Sequence, residues 1–149
     1  MSLVVAVALV DSLTHPTRLL AAQRSYPKDL AGKWELPGGK VEEGEDPTHA
    51  CIRELQEELN ITPILGPLVE GEDGDWPIGK HTMRVWLALS ETEPVRGSDH
   101  SELRWCTADN LLDLDWLPGD VALAHKLRSW LVDPTLIQES QAAKKTQAS

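Results

Sequence analysis

The chain lacks long hydrophobic runs, has almost no cysteine and is short of positive charge. Its 149 residues are 41% hydrophobic and 26% charged, proportions that suit one compact domain with a real core. No apolar run approaches the ~18 residues of a spanning helix, which excludes an integral membrane protein of the helical kind. The opening Met1–Val10 segment carries no basic residue and runs into Asp11, so no secretory leader is expected. Two cysteines, Cys51 and Cys106, make no disulfide framework, and a reducing cytoplasmic location is expected. Neither has a recognisable partner residue, so burial is expected for both rather than nucleophilic catalysis. Lys and Arg number 14 against 24 Asp and Glu, a net charge of −10. That balance argues against a duplex nucleic-acid binder held by phosphate contacts. It still permits an acidic protein to bind phosphates through divalent cations. There is no internal repeat. His15, His49, His81 and His125 show no metal-ligand spacing. The acidic run Glu70, Glu72, Asp73 and Asp75 lacks an EF-hand pattern and is expected to be a solvated loop.

Strand and helix signals alternate along the chain. Residues 3–10 form a Val-rich apolar run, which predicts a buried strand, and Arg18 to Arg24 predicts a second after a turn at Pro16. Trp34-Glu35-Leu36 is a short extended piece, and Pro37-Gly38-Gly39 ends any regular structure there. The clearest helix is Pro47 to Leu59: Asp46 suits the N-cap, Pro47 the first turn, and Asn60 a left-handed C-terminal residue. Further strands are expected at Ile64–Glu70, Lys80–Ser90 and Glu102–Cys106. A brief helix is expected after Thr107 and a closing one at Pro118–Val132. This pattern predicts an α/β class with helices covering a mixed sheet. The domain is assigned to residues 1–137, and the polar stretch 138–149 is expected to be a frayed tail.

Glu54, Glu57 and Glu58 fall at i, i+3 and i+4 on the central helix and share one arc, beside a stripe formed by Cys51, Ile52, Leu55 and Leu59. Helix physics opposes this cluster. Like charges at i, i+4 repel, and carboxylates near a helix C-terminus face the negative end of the macrodipole at ~0.3–1 kcal/mol each. Two explanations stay open at this point. One is a solvated acidic face partly neutralised by Arg53; the other is a site for a divalent cation. The upstream Pro37-Gly38-Gly39-Lys40 turn supports the second, because a backbone without Cβ atoms can approach a metal or phosphate.

Gly39, five residues, Glu45, seven residues, then Arg53-Glu54-Leu55-Gln56-Glu57-Glu58-Leu59-Asn60-Ile61 resembles the Nudix box, G-x5-E-x7-R-E-U-x-E-E-x-G-U. The single departure, Asn60 for the last Gly, is mild because Asn also tolerates the left-handed conformation. The resemblance implies the Nudix fold, a mixed β-sheet sandwiched between α-helices, and hydrolysis of a diphosphate bond with Mg²⁺, or Mn²⁺ in its place. It further implies that Glu54, Glu57 and Glu58 ligate metal with help from the Gly38 carbonyl. Arg53 would then orient the glutamates, and Glu45 would steady the loop–helix junction.

The segments Leu20–Arg24, Trp34–Lys40, His100–Trp105 and Leu114–Pro118 are similar to those of MutT-type nucleoside triphosphate pyrophosphohydrolases, especially the CTP pyrophosphohydrolase branch. By that resemblance Glu102 is a further metal ligand or general base, Arg24, Glu35 and Lys40 contact the nucleotide, and Asp120 faces the base. An ionised carboxylate only accepts, which suits cytosine N4; Asp120 as a simple cap of the last helix is the competing explanation. His100 is expected to be a surface loop histidine, and Trp34 to border the base pocket. The expected activity is conversion of a triphosphate (CTP, dCTP or 5-methyl-dCTP) to monophosphate and pyrophosphate. Alternatives are an 8-oxo-dGTP sanitising enzyme, a hydrolase of another nucleoside diphosphate derivative, and a non-catalytic nucleotide-binding module. Monomer and dimer are both open, and neither duplex nucleic acid nor membrane is an expected partner.

Overall fold

Burial on both faces explains the near-continuous apolar character of the first strand. A computed structural model describes residues 2–148, with side chains through residue 142. In chain order the first elements are β1 (Leu3–Leu9), β2 (Leu19–Arg24), β3 (Trp34–Glu35), β4 (Gly38–Lys40) and helix α1 (Pro47–Leu59). They are followed by β5 (Ile64–Leu68), β6 (Trp76–Ile78), β7 (His81–Leu89), β8 (His100–Cys106), α2 (Val121–Val132) and α3 (Thr135–Ala148). Short 3₁₀ turns occupy Leu111–Asp113 and Pro118–Asp120. No helix among the described residues is long and apolar enough to cross a membrane.

The α/β class expected from the sequence is observed, but the strands divide between two sheets. One has the order β4-β1-β7-β5 with β6 also on β7; the other is β3-β2-β8. In the first, β1 runs parallel to β7 from Leu3↔Thr82 to Leu9↔Ala88 and antiparallel to β4. The second is wholly antiparallel. The division begins at the turn after β1. There the Asp11 carboxylate accepts from the Thr17 amide at 2.8 Å and the Arg18 amide at 3.3 Å. This Asp11 clasp closes the loop before β2, and among the described residues the isolated bridge Val10↔Leu19 joins the two sheets there.

Alternation along β1 feeds two cores. Val5, Val7 and Leu9 pack with Ala50, Cys51, Leu55 and Leu59 of α1. Ala6, Ala8 and Val10 join the opposite core with Leu123, Leu127 and Trp130 of α2. Helix α1 has the expected bounds. Asp46 accepts from the Thr48 amide at 2.8 Å and the His49 amide at 3.3 Å, and Asn60 closes the helix at φ 55°, ψ 40°. Both cysteines are free and buried, and burial pushes the Cys51 thiol up to about 12, which leaves it inert as expected.

Two local expectations change. The acidic run is not wholly solvated: Asp75 binds Arg84 through two contacts of 3.0 Å, and the chain continues directly into β6, paired Trp76↔Met83. The polar segment expected as a frayed tail is helical through Ala148. Asp133 caps it by accepting from the Thr135 amide at 3.2 Å, Ile137 is buried, and Gln, Glu, Ala and Lys are good helix formers. Ser149 lies outside the described residues.

Leu55 is fully buried beneath α1. Leu55→Ala is therefore expected to lower unfolding stability by ~2–5 kcal/mol in denaturant titration. Asn60→Val, placed at a positive φ, is expected to lose about 1–2 kcal/mol in the same assay, whereas Asn60→Gly should lose none.

Candidate active site

The approach of two glycines to α1 builds the site. Strand β4 pairs Gly38 with Ala6 and Gly39 with Val5. A Cβ on Gly38 would lie 1.9 Å from the Val5 carbonyl oxygen, and one on Gly39 would lie 2.3 Å from Glu54 Cδ. Only glycine brings this backbone against the carboxylates. The Gly38 amide donates to Glu58 Oε2 at 3.3 Å. Burial pushes the Glu58 carboxyl up to about 8, with further upward push from Glu54, Glu35 and Asp99. Glu54 is also raised by burial, which the Arg53 hydrogen bond opposes.

Arg53 organises the acidic surface. Its Nε and Nη2 hold both oxygens of Glu45, at 2.8 and 2.9 Å, while Nη1 donates to Glu54 at 3.0 Å and more weakly to Glu57 at 3.4 Å. Nη2 also reaches the Lys40 carbonyl at 3.3 Å, tying helix to loop. The Arg53 bonds, followed by those from the Glu42 amide and His49, lower the Glu45 carboxyl to about 2. Glu57 is left with a side chain 61% exposed.

Beside this helix end lies a cleft of about 240 Å³. Its polar lining includes Gly38, Gly39, Lys40 and Glu58 together with Arg24, Glu35, Asp99, His100 and Tyr26. Ile78, Met83 and Leu117 form apolar wall near Asp120. Asp120 is 3% exposed, its Oδ2 accepts from the Leu36 amide at 3.1 Å, and burial pushes its carboxyl up to about 7. It makes no side-chain capping bond to α2, so the simple-cap explanation falls. The 3₁₀ turn at Pro118 points the residue inward, and Gly119 packs so closely on Ile78 that a Cβ would meet Cγ1 at 2.7 Å.

The structure thus brings Arg24, Glu35, Gly38, Lys40, Glu58 and Asp120 to one cleft, with Glu54 against Gly39. It does not bring Glu102 there. Strand β8 pairs Glu102 with Gln23 but His100 with Arg24, so Ser101 is left as an extra residue and the alternation of faces breaks between them. Glu102 consequently lies on the opposite face, held by Arg104 at 2.7 Å. His100, expected at the surface, is 1% exposed with Nε2 3.0 Å from Glu35 Oε2. Asp99, absent from the sequence-based set, lines the cleft and accepts from the Tyr26 hydroxyl at 2.9 Å. An Asp-His pair at the start of a strand carries no periodic signal, because the irregularity at Ser101 hides which face each residue takes. Trp34 is buried outside the cleft lining, with Arg104 4.8 Å above its ring, so it does not border the pocket.

A model of the NUDIX domain matches residues 2–127. The chain belongs to the Nudix family. Among similar curated proteins is the "Putative 8-oxo-dGTP diphosphatase 2" of Mycobacterium tuberculosis, 42% identical over 135 residues that cover 88% of this chain and 86% of the relative. The CTP pyrophosphohydrolase of Escherichia coli K12 is 32% identical over 106 residues, covering 71% of this chain and 78% of its own. Among solved structures, the solution structure of the E. coli ORF135 protein superposes with a TM-score of 0.68 at 28% identity, covering 87% of this chain and 90% of that one. The protein is therefore a Nudix hydrolase, and its strands and helices are those of the Nudix fold.

Among the described residues no group of three His, Cys, Asp or Glu is drawn together as a preformed metal cage. The donor set nevertheless fits the divalent cation that Nudix chemistry implies. Mg²⁺ keeps several waters and takes one or two carboxylates, without needing a closed set of protein ligands. Glu54 and Glu58 crowd against a glycine backbone, and Glu58 is held up by burial and by neighbouring negative charge. A cation relieves that crowding.

The native Glu58 carboxyl (about 8, against an ordinary 4.5) and Asp120 carboxyl (about 7, against 3.8) both bind protons more tightly than in the unfolded chain. Stability of the metal-free protein should therefore be highest at low pH on their account and fall as pH rises from about 4 to about 8. Melting temperatures across that range check this. Glu58→Gln should flatten the decline, and added Mg²⁺ should stabilise more at pH 8 than at pH 5.

Proposed function

We propose that the protein hydrolyses nucleoside triphosphates to the monophosphate and pyrophosphate with Mg²⁺, for which Mn²⁺ can substitute, and that cytosine nucleotides are its substrates. The observation that carries this proposal is a single cleft lined by both a box carboxylate, Glu58, and a buried carboxyl, Asp120, with Ile78, Met83 and Leu117 as its apolar lining. On this reading the phosphates lie beside Glu58 and the base beside Asp120. The curated relatives named for 8-oxo-dGTP and CTP support the same reaction class.

In this mechanism Glu54, Glu57 and Glu58 would hold the cation together with the Gly38 carbonyl. When bound, Mg²⁺ supplies charge neutralisation on the phosphate oxygens and a more acidic water. Arg53 keeps Glu54 and Glu57 in place, and Glu45 keeps Arg53 in place. A box glutamate accepts the proton of the attacking water. Water oxygen bonds to one phosphorus of the α–β anhydride as that phosphorus loses its bond to the bridging oxygen, giving the monophosphate and pyrophosphate. Arg24 and Lys40 face the nucleotide from the cleft walls.

A second substrate class has its own support. At about 7, the Asp120 carboxyl is divided between two forms near neutral pH. The ionised form only accepts, as cytosine N4 requires; the protonated form both donates and accepts, as the edge of an oxidised guanine requires.

A panel of ordinary, methylated and oxidised triphosphates, with products resolved by chromatography, tests the activity. Glu57→Gln is expected to remain folded while kcat falls ~10²–10⁴-fold; a folded, fully active variant refutes the assignment. In the wild type, kcat/KM for dCTP relative to 8-oxo-dGTP should rise from pH 6 to pH 8 as Asp120 ionises. Asp120→Asn should abolish that rise, and unchanged base preference in this variant counts against Asp120 as the base reader.

A further inference from the structure

The cleft contains a buried histidine that the mechanism above does not use. His100 is 1% exposed, yet among the described residues its Nδ1 has no hydrogen-bond partner. A buried polar atom left unpaired costs stability, so the position needs a reason. Its other nitrogen supplies one: Nε2 lies 3.0 Å from Glu35 Oε2. A carboxylate only accepts, so Nε2 carries the proton in the neutral ring and Nδ1 is left as the bare acceptor.

Glu35 is used twice. While Oε2 faces His100, Oε1 accepts from Arg24 Nη1 at 2.9 Å. Arg24 Nε is also occupied, donating to the Tyr26 carbonyl at 3.1 Å. Nη2 has no protein partner among the described residues, and the guanidinium lines the cleft. A planar, fully charged group held on two sides thus keeps its third nitrogen for a ligand oxygen.

The three residues come from three neighbouring strands of the smaller sheet. Arg24 of β2 pairs directly with His100 of β8, and Glu35 of β3 pairs with Ala22, two residues before Arg24 on the same face. Without the register shift at Ser101, Arg24 would oppose Ser101 and His100 would face the other way. The irregularity exists where it aligns this chain of contacts, in keeping with the habit of bulges to re-aim side chains beside active sites.

We propose that His100 is a positioning residue for substrate binding: through Glu35 it fixes Arg24 so that Nη2 faces an oxygen of the nucleotide. This inference rests on the assignment of Arg24 as a nucleotide contact. His100 acts through the Glu35–Arg24 contacts, so its loss acts on binding and leaves the chemical step alone.

Two amide substitutions separate this role from simple packing. In Gln the amide nitrogen sits three bonds from Cβ, as Nε2 does in His; in Asn it sits two bonds away, as Nδ1 does. His100→Gln keeps a donor to Glu35, and His100→Asn withdraws it. With the Mg²⁺-loaded enzyme and its best triphosphate from the panel, His100→Gln is expected to keep KM within ~3-fold of wild type. His100→Asn should raise KM ~10-fold or more, as loss of a hydrogen bond to a charged group implies, with kcat within ~3-fold. Equal KM values for the two variants, or a loss confined to kcat, overturn the proposal.

Arg24→Ala completes the set. If it leaves KM unchanged, the assignment of Arg24 as a nucleotide contact fails. If it raises KM while the Gln and Asn variants behave alike, the positioning role alone fails. Should His100→Asn not fold, Glu35→Gln probes the same link from its centre. A single amide oxygen cannot replace two carboxylate oxygens that accept from Arg24 and His100 together, so KM should again rise ~10-fold. An unchanged KM in that variant overturns the relay.

Discussion

Arg53 is the contact on which the rest of the site depends. Four carboxylates crowd the last turns of α1 and the loop before it, against both mutual repulsion and the helix dipole. One guanidinium reaches three of them and the Lys40 carbonyl, and so fastens the helix to the glycine turn. A planar group with five donors can do this; an ammonium cannot. Glu58 is the carboxylate left out, and burial first, then the neighbouring carboxylates, raise its affinity for protons.

The second constraint is the division of the strands. Because β2 leaves β1 at the Asp11 turn, β3 and β8 form a separate sheet whose edge meets the glycine turn across the cleft. The two sheets contribute different chemistry. The larger one, with α1, brings the carboxylates and the backbone amide of Gly38; the smaller brings Arg24, Glu35 and His100. Asp120 comes from a 3₁₀ turn, supported by the Leu36 amide that lies between the two groups in sequence.

Much of the catalytic half was legible in the residues themselves. Asp46, Pro47 and Asn60 mark the helix by local rules, and the helix bounds agree with them. The spacing of Glu54, Glu57 and Glu58 needs only helical periodicity to be placed on one arc. The binding half was less legible. His100 and Glu102 stand two apart and look like neighbours on one strand face, yet an extra residue sends them to opposite faces. Nothing in the identity of Ser101 marks it as that residue. Tyr26 and Asp99 are 73 positions apart and meet only because the β2–β3 and β7–β8 loops close together.

By itself the sequence determined the helix, the glycine turn and the acidic constellation, because each depends on contacts within a few turns of chain. Tertiary structure alone decided which polar residues enter the cleft. Strand register, the split between sheets and the inward turn at Pro118 depend on pairings between distant segments, and a one-residue shift in such pairing moves a side chain to the other face. Burial then set the proton affinities of Glu58 and Asp120, since desolvation comes from the surrounding fold and leaves no mark on the residues that feel it.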